Sequence, residues 1–415
     1  MKRFFFLFFP VFLLVPNIGF AQKTVTLDDY LATAKENSPV LSDYNNQRYS
    51  LKIDSLKMLA DYGVKVTANG DAMYAPVIKG WGYDNALSNG QNVTAVIRIT
   101  RDLLGKANKD TRLADYNLAS KQVINQIKIT ELQLNRAVTE QYLNTYTAQQ
   151  LYQNYQEIIK LLNEEDVILK KLTQESAFKQ TDYLSFKVTL QQNLLAMQQQ
   201  RADWLNNYAT LNYLAGVVDT TLSVLQPPLM PDKMPLPFEQ SIYAESYITD
   251  SLKLANDAKI INYDYRPKLS AYADGGYSSS FITTPYKNFG ASVGLSLTVP
   301  IYDGNKRKMM LQQNRLAQAT RKRYNEFEHN RYLQQTAQLQ AQIRQYEQMQ
   351  ATAGEQLVYS QALIEANLKQ LPTGDVKIAD FILSINNYLN LKSSLVQYQD
   401  NLYKLYNNLN YLTIQ

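Results

Sequence analysis

Residues 106–174 contain neither proline nor glycine. Apolar residues recur through this run at helical spacing, at Leu113, Tyr116, Val123, Ile127, Leu134, Val138, Tyr142, Tyr146, Leu151, Tyr155, Ile158 and Leu162. The pattern predicts one uninterrupted α-helix, and about seventy residues at ~1.5 Å each make it roughly 100 Å long. A helix of that length cannot bury its apolar stripe inside an ordinary globule. It has to pair lengthwise with other helices, as a coiled coil or a bundle. A second run of the same kind covers 305–370, interrupted only by Gly354. Shorter returning helices are expected over 182–214 and 380–412.

The two long runs belong to an internal repeat with an offset of about 199 residues. The first copy spans 22–216 and the second 238–415. Each reads helix, strand pair, long helix, short break, returning helix. Between the helices the periodicity switches from helical to two, predicting strands over 64–75 and 92–100, and again over 268–280 and 289–300. In the last of these, Phe289, Ala291, Val293, Leu295, Leu297 and Val299 alternate with Gly290, Ser292, Gly294, Ser296 and Thr298. One greasy face opposite one small, polar face suits a barrel strand between lipid and a wet lumen. A hairpin of a soluble β-sandwich is the alternative. Thr26 is placed to cap an opening helix with Asp28 and Asp29 in its first turn, Pro39 to start a second helix, and Gly63 to end it. Residues 217–237 carry Pro227, Pro228, Pro231, Pro235 and Pro237, the composition of a stiff extended linker crossing the outside of the helices.

Residues 1–21 have the form of a secretory signal. Lys2 and Arg3 precede an apolar run from Phe4 to Val15, and Gly19-Phe20-Ala21 offers a cleavage site after Ala21. The run is too short for a membrane helix, which needs about 20 apolar residues. No later segment resembles one. The mature chain is then expected either to remain soluble outside the cytoplasm or to enter the outer membrane as strands.

Composition narrows the chemistry. There is no cysteine, and the single histidine is His329. Thiol nucleophiles, Cys/His zinc sites and disulfides are excluded, as is any Ser-His-Asp triad not built on His329. No phosphate-binding glycine loop and no paired histidines occur. No catalytic, cofactor-binding or metal-binding residues are assigned, and an enzyme is not expected. Charge is nearly balanced, 42 basic against 37 acidic residues with no basic cluster, so no nucleic-acid partner is expected.

Two landmarks carry a family resemblance. Thr298-Val299-Pro300-Ile301-Tyr302-Asp303-Gly304-Asn305-Lys306-Arg307 resembles the strand-to-helix junction of TolC-like outer-membrane efflux proteins. In this stretch Pro300 ends the strand, Gly304 allows a tight turn and Asp303 can cap helix amides. The first copy has Ile99-Thr100-Arg101-Asp102-Leu103-Leu104-Gly105 there, retaining an Asp and Gly105 without the proline. The second landmark is Gly374-Asp375-Val376-Lys377-Ile378-Ala379-Asp380-Phe381, similar to the family's helical tips. It matches Ser176-Ala177-Phe178-Lys179-Gln180-Thr181-Asp182-Tyr183 in the first copy. Tips are thus expected near 176–182 and 372–380.

The resemblance implies an α+β, mostly α architecture. Four transmembrane strands per chain would assemble as a homotrimer into a twelve-stranded barrel, above a long periplasmic coiled-coil cylinder. It implies a passive channel in the bacterial outer membrane, reaching into the periplasm and joined to a periplasmic adaptor (membrane fusion) protein and an inner-membrane transporter. The cargo would be small molecules such as drugs, toxins or metals. Asp380 aligns with an acidic periplasmic gate position, or it simply favours the start of its helix. A second acidic ring one turn later is missing. Thr181, Asp182, Tyr183, Gly374 and Lys377 are candidate adaptor contacts. Two other readings remain: the duct of a type I protein secretion system, and a soluble periplasmic coiled-coil scaffold. Tyr74, Tyr277 and Tyr286, at strand ends, are candidates for an interfacial aromatic belt.

Overall fold

In a computed structural model, the structure describes residues 24–83, 90–103, 105–219, 221–230, 235–280 and 284–413. The leader and its cleavage position Ala21 lie outside the described residues. In chain order the elements are β1 (Thr24–Val25), α1 (Leu27–Asn37), α2 (Pro39–Asp61), β2 (Val64–Tyr74), β3 (Gln91–Asp102), α3 (Lys106–Gln174), α4 (Gln180–Ala215), β4 (Val224–Leu225), α5 (Ile242–Asp264), β5 (Lys268–Ser279), β6 (Phe289–Thr298), α6 (Lys306–Gln370) and α7 (Ile378–Thr413). The chain is mostly helical with a small sheet. The strand expected over 92–100 extends to Gln91–Asp102, and the one expected to reach 300 stops at Thr298, before Pro300.

The chain divides into two compact units, and neither coincides with a sequence repeat. One comprises 1–37, 137–230 and 346–404, the other 38–136, 231–345 and 405–415. Each of α3, α6 and α7 contributes a stretch to both.

In the first unit, Thr26 and Asp29 form a reciprocal cap. Asp29 N–H donates to Thr26 Oγ1 at 3.2 Å, and Thr26 N–H donates to Asp29 Oδ2 at 3.0 Å. Both ends of α1 dock on α4 and its C-terminal cap. Tyr30 donates to Asn212 at 2.7 Å, and Asn37 Nδ2 donates to the carbonyls of Ala215 and Gly216 at 3.1 and 3.2 Å. Gly216 closes α4 at φ +66°, and a Cβ there would sit 2.8 Å from Asn37. Both reasons require glycine. Part of the linker is inside rather than outside. Val224–Leu225 pairs in parallel with Thr24–Val25, and Leu225 is buried.

The far side of that two-stranded ladder is completed by a side chain. Gln149 on α3, itself 1% exposed, donates to Leu225 C=O at 3.1 Å and accepts Leu225 N–H at 2.9 Å. Tyr142, fully buried, donates to Gln226 C=O at 2.7 Å. These bonds matter because a buried backbone amide without a partner costs about 1–3 kcal/mol.

The largest apolar cluster of this unit lies around the two helical breaks. It contains Ile158, Leu162, Leu169, Phe186, Leu190, Ile364, Leu371, Ile378, Phe381, Ile385 and Leu389. The two pairs α3/α4 and α6/α7 therefore share one core.

In the second unit, Ser38 caps α2 with Pro39 at its first position. Gly63 follows without a left-handed turn. It is needed because a Cβ would come within 2.9 Å of the Ala60 carbonyl. The two strand pairs merge into one antiparallel sheet, order β2-β3-β5-β6. A smaller core joins Phe238, Ala244 and Tyr332, and Tyr332 donates to Leu236 C=O at 2.6 Å, fastening the end of the linker. His329 sits here, its ring 5.2 Å from Phe238 and its Nε2 3.6 Å from a Glu239 carboxylate oxygen.

Replacing Gln149 with leucine should leave the Leu225 N–H and C=O buried without partners and cost about 1–3 kcal/mol. Hydrogen exchange at the Leu225 amide should accelerate by about one to two orders of magnitude. Unchanged protection would show that the side chain is not what holds the ladder.

Candidate functional site

Three features are candidates for function: the two faces of the sheet, the strand-to-helix junctions, and the helical tips.

Directly opposed residues of an antiparallel pair project to the same face. Register therefore fixes the faces. Val66 lies opposite Ile99, Ile99 opposite Ala273, and Ala273 opposite Val293. The same side carries Val64, Ala68 and Ala72 of β2, Val93, Ala95 and Ile97 of β3, Leu269 and Ala271 of β5, and Phe289, Leu295 and Leu297 of β6. The apolar stripes of all four strands thus coincide on one face, with Gln91, Ser279 and Arg101 toward its two ends. That face is bare, with Val293 85%, Leu295 70% and Val66 64% exposed. At its loop end Tyr277 packs edge-on against Phe289 at 5.3 Å, and Tyr74 ends β2 exposed. Tyr286 is exposed in the adjoining connection. The opposite face carries Lys65, Thr67, Asn69, Asp71, Thr94, Arg98, Asp274 and the Gly/Ser series of β6. Among the described residues, β2 and β6 have no strand on their outer sides.

At the second junction, Asp303-Gly304-Asn305-Lys306 forms a tight turn closed by Lys306 N–H to Asp303 C=O at 3.3 Å. Gly304 and Asn305 stand at φ +66° and +65°. The Asp303 carboxylate accepts Arg307 N–H at 2.7 Å, and this hydrogen bond holds its carboxyl below the usual range. Arg307 reaches across to Asn262 on α5 at 2.8 Å. The first junction is built differently. Asp102 is the last residue of β3, and the Gly105 carbonyl accepts Asn108 and Lys109 N–H at 3.0 and 3.4 Å. Gly105 has no left-handed φ and no neighbour that a Cβ would touch, so it is not the counterpart of Gly304 in conformation.

The tips share one backbone solution. Ala177 N–H bonds Leu172 C=O and Ser176 N–H bonds Thr173 C=O. At the other tip Asp375 N–H bonds Gln370 C=O and Gly374 N–H bonds Leu371 C=O. Both are Schellman closures, with Ser176 at φ +62° and Gly374 at φ +78°. A β-carbon makes that conformation unfavourable by about 1–2 kcal/mol. The sequence frame showed that Ser176 takes the place of Gly374. It did not show that the serine keeps the glycine conformation.

The helices that follow begin beyond Lys179 and Lys377, and Lys179 makes no side-chain capping bond. Asp182 and Asp380 occupy their first turns, where a carboxylate suits the helix dipole. Asp380 is exposed because Ile378, Phe381 and Ile385 turn the other side of the helix into the core. Thr181, Gly374 and Lys377 are also exposed. Tyr183 is half-buried against the core, and burial, with nearby Asp166, raises its hydroxyl pKa. Among the described residues no group of His, Asp and Glu is placed to hold a metal ion, and no helix is long and apolar enough to cross a membrane.

No family model matches the sequence, and no curated protein matches it. Solved structures do match, over nearly the whole chain. The VceC outer-membrane protein of Vibrio cholerae superposes with a TM-score of 0.76 at 11% identity, covering 93% of this chain and 96% of that one. CusC, a protein of transmembrane channel formation, gives 0.76 at 11% identity over 97% and 96%. The open-state MtrE outer-membrane channel of Neisseria gonorrhoeae gives 0.73 at 13% identity over 92% and 88%. This chain has the TolC-like outer-membrane-channel fold. Within the TolC-like fold, this chain has its apolar face on the four-stranded sheet and its two glycine-conformation breaks after α3 and α6.

Ser176→Gly should stabilise the first tip by about 0.5–1 kcal/mol, the left-handed strain less the added freedom of glycine in the unfolded chain. Gly374→Ala should destabilise the second by about 1 kcal/mol. Hydrogen exchange of the tip amides measures both, and an unchanged first tip would contradict the strain assigned to Ser176.

Proposed function

We propose that the chain is one subunit of a homotrimeric, passive channel in the bacterial outer membrane. It would receive small molecules such as drugs, toxins or metals from an inner-membrane transporter and a periplasmic adaptor protein. The reading is carried by the coincidence of four apolar stripes on one exposed face of a sheet whose outer edges meet no strand among the described residues. A bilayer would cover that face, and neighbouring copies would pair the edges. Three copies of the four-stranded sheet give twelve strands, an even number in the range of outer-membrane barrels. Strands of ten to twelve residues suit a tilted crossing of the hydrocarbon layer.

Exposed Val167, Leu195, Val358 and Tyr359 on the helices of the first unit are further apolar surface for a second copy to cover. In this reading Asp380, exposed in the first turn of α7, lines the periplasmic gate as a ring of three carboxylates. The tip residues Thr181, Asp182, Tyr183, Gly374 and Lys377 meet the adaptor. The channel makes and breaks no bond, and it needs no cofactor.

The absence of cysteine allows a direct test. Leu295→Cys and Ser296→Cys, in reconstituted membranes, should separate by environment. The first should react with a lipid-dissolved maleimide and resist a water-soluble one, and the second should do the reverse. Equal reaction of both with the water-soluble reagent would move the assignment to a soluble periplasmic scaffold.

A further inference from the structure

A linked polar cluster runs across the middle of the sheet's polar face. Register aligns Thr67, Arg98, Asp274 and Ser292 across all four strands. Arg98 Nε and Nη2 donate to Asp274 Oδ2 at 3.0 and 2.7 Å, and Ser292 Oγ donates to Oδ1 at 2.6 Å. Both carboxylate oxygens are therefore engaged. The guanidinium carbon also lies 5.3 Å from the Tyr272 ring centre, a cation–π distance.

Tyr272 in turn reaches over Gly294, where a Cβ would come within 2.5 Å of the ring carbon that bears its hydroxyl. The arginine is thus held between an acid and an aromatic ring whose own position depends on a glycine. The Asp274 side chain is only 14% exposed, while Arg98 retains 45%. Elsewhere on this face Lys65 and Lys268 are matched in number by Asp71 and Asp102, so its fixed charge balances.

We propose that this row sets the charge selectivity of the barrel lumen, by neutralising within each subunit a ring of arginines that would otherwise face the permeating solute. The proposal rests on the channel reading above. As an ion pair on a wet surface, Arg98–Asp274 adds little stability. As a ring of three around a narrow lumen, an uncompensated charge of either sign would act on every ion that passes. With the pair intact, the barrel admits small organic ions of both signs and leaves selection to other parts of the assembly. The clamp of Tyr272 over Gly294 keeps the arginine against its acid instead of extended into the lumen.

The test is the reversal potential of the full-length channel in planar bilayers under a KCl gradient, near 0.1 M salt, where the screening length is about 10 Å. Asp274→Asn should shift the permeability ratio toward chloride by about twofold or more, and Arg98→Gln toward potassium by a similar factor. The double variant should return close to the parent. Oligomer yield on gels identifies any variant that does not assemble. If Asp274→Asn does not, the comparison of Arg98→Gln with the double variant decides. A parent protein that forms no pore would overturn the channel reading itself. A conducting parent with unmoved selectivity in the assembled single variants would overturn the assignment of this row alone.

Discussion

The outer sides of β2 and β6 present backbone donors and acceptors that meet no strand among the described residues, on a sheet whose one face is mostly apolar. In water the apolar face is unfavourable to leave bare. In hydrocarbon the open edges would leave hydrogen-bonding groups without partners, each costing several kcal/mol. A single copy satisfies neither solvent. Closure with further copies, as proposed, would satisfy lipid, and in that reading the strand-to-helix junctions hold the hairpins ready for it. The junction at Asp303–Arg307 aims α6 with a turn and a cap. The first junction reaches its helix through the Gly105 carbonyl instead. Two different local solutions serve equivalent places in the repeat.

The helical tips show the opposite tendency, one backbone solution from different residues. Ser176 and Gly374 hold the same Schellman geometry, and the apolar cluster of Leu169, Phe186, Leu371, Ile378 and Phe381 fixes both breaks together. A shared core of this kind over-determines the serine's left-handed conformation, as packing must where a β-carbon opposes it. The exposed carboxylate of Asp380 follows from the same packing. The buried residues of its turn leave it no inward direction.

Long helices and strand alternation were legible in the sequence, because both signals are periodic within one segment. The helix over 106–174 was readable from the absence of proline and glycine. The polar and apolar series of β6 was readable from its strict alternation. What one segment cannot carry is register between segments. Whether Ile99 shares a face with Ala273 depends on pairing between residues 174 positions apart. The Arg98–Asp274–Ser292 row has the same character. Gln149 was invisible for another reason: a glutamine in a helical run carries no sign that its amide will stand in for a strand. At the first junction the shared letters do not carry the shared geometry. Asp102 and Gly105 match the family's letters, yet the aspartate belongs to the strand and the glycine has no left-handed turn. Letters fix side-chain chemistry, whereas the cap depends on where the strand stops.

Fold similarity at 11–13% identity speaks for the backbone architecture, and this chain's own residues supply the argument for membrane and assembly. The measurement that addresses that argument most directly is the detergent-corrected mass of the protein extracted from the outer-membrane fraction. The account predicts three copies of the mature chain, released only by detergent. A monodisperse monomer, or release by carbonate or high salt without detergent, would contradict it.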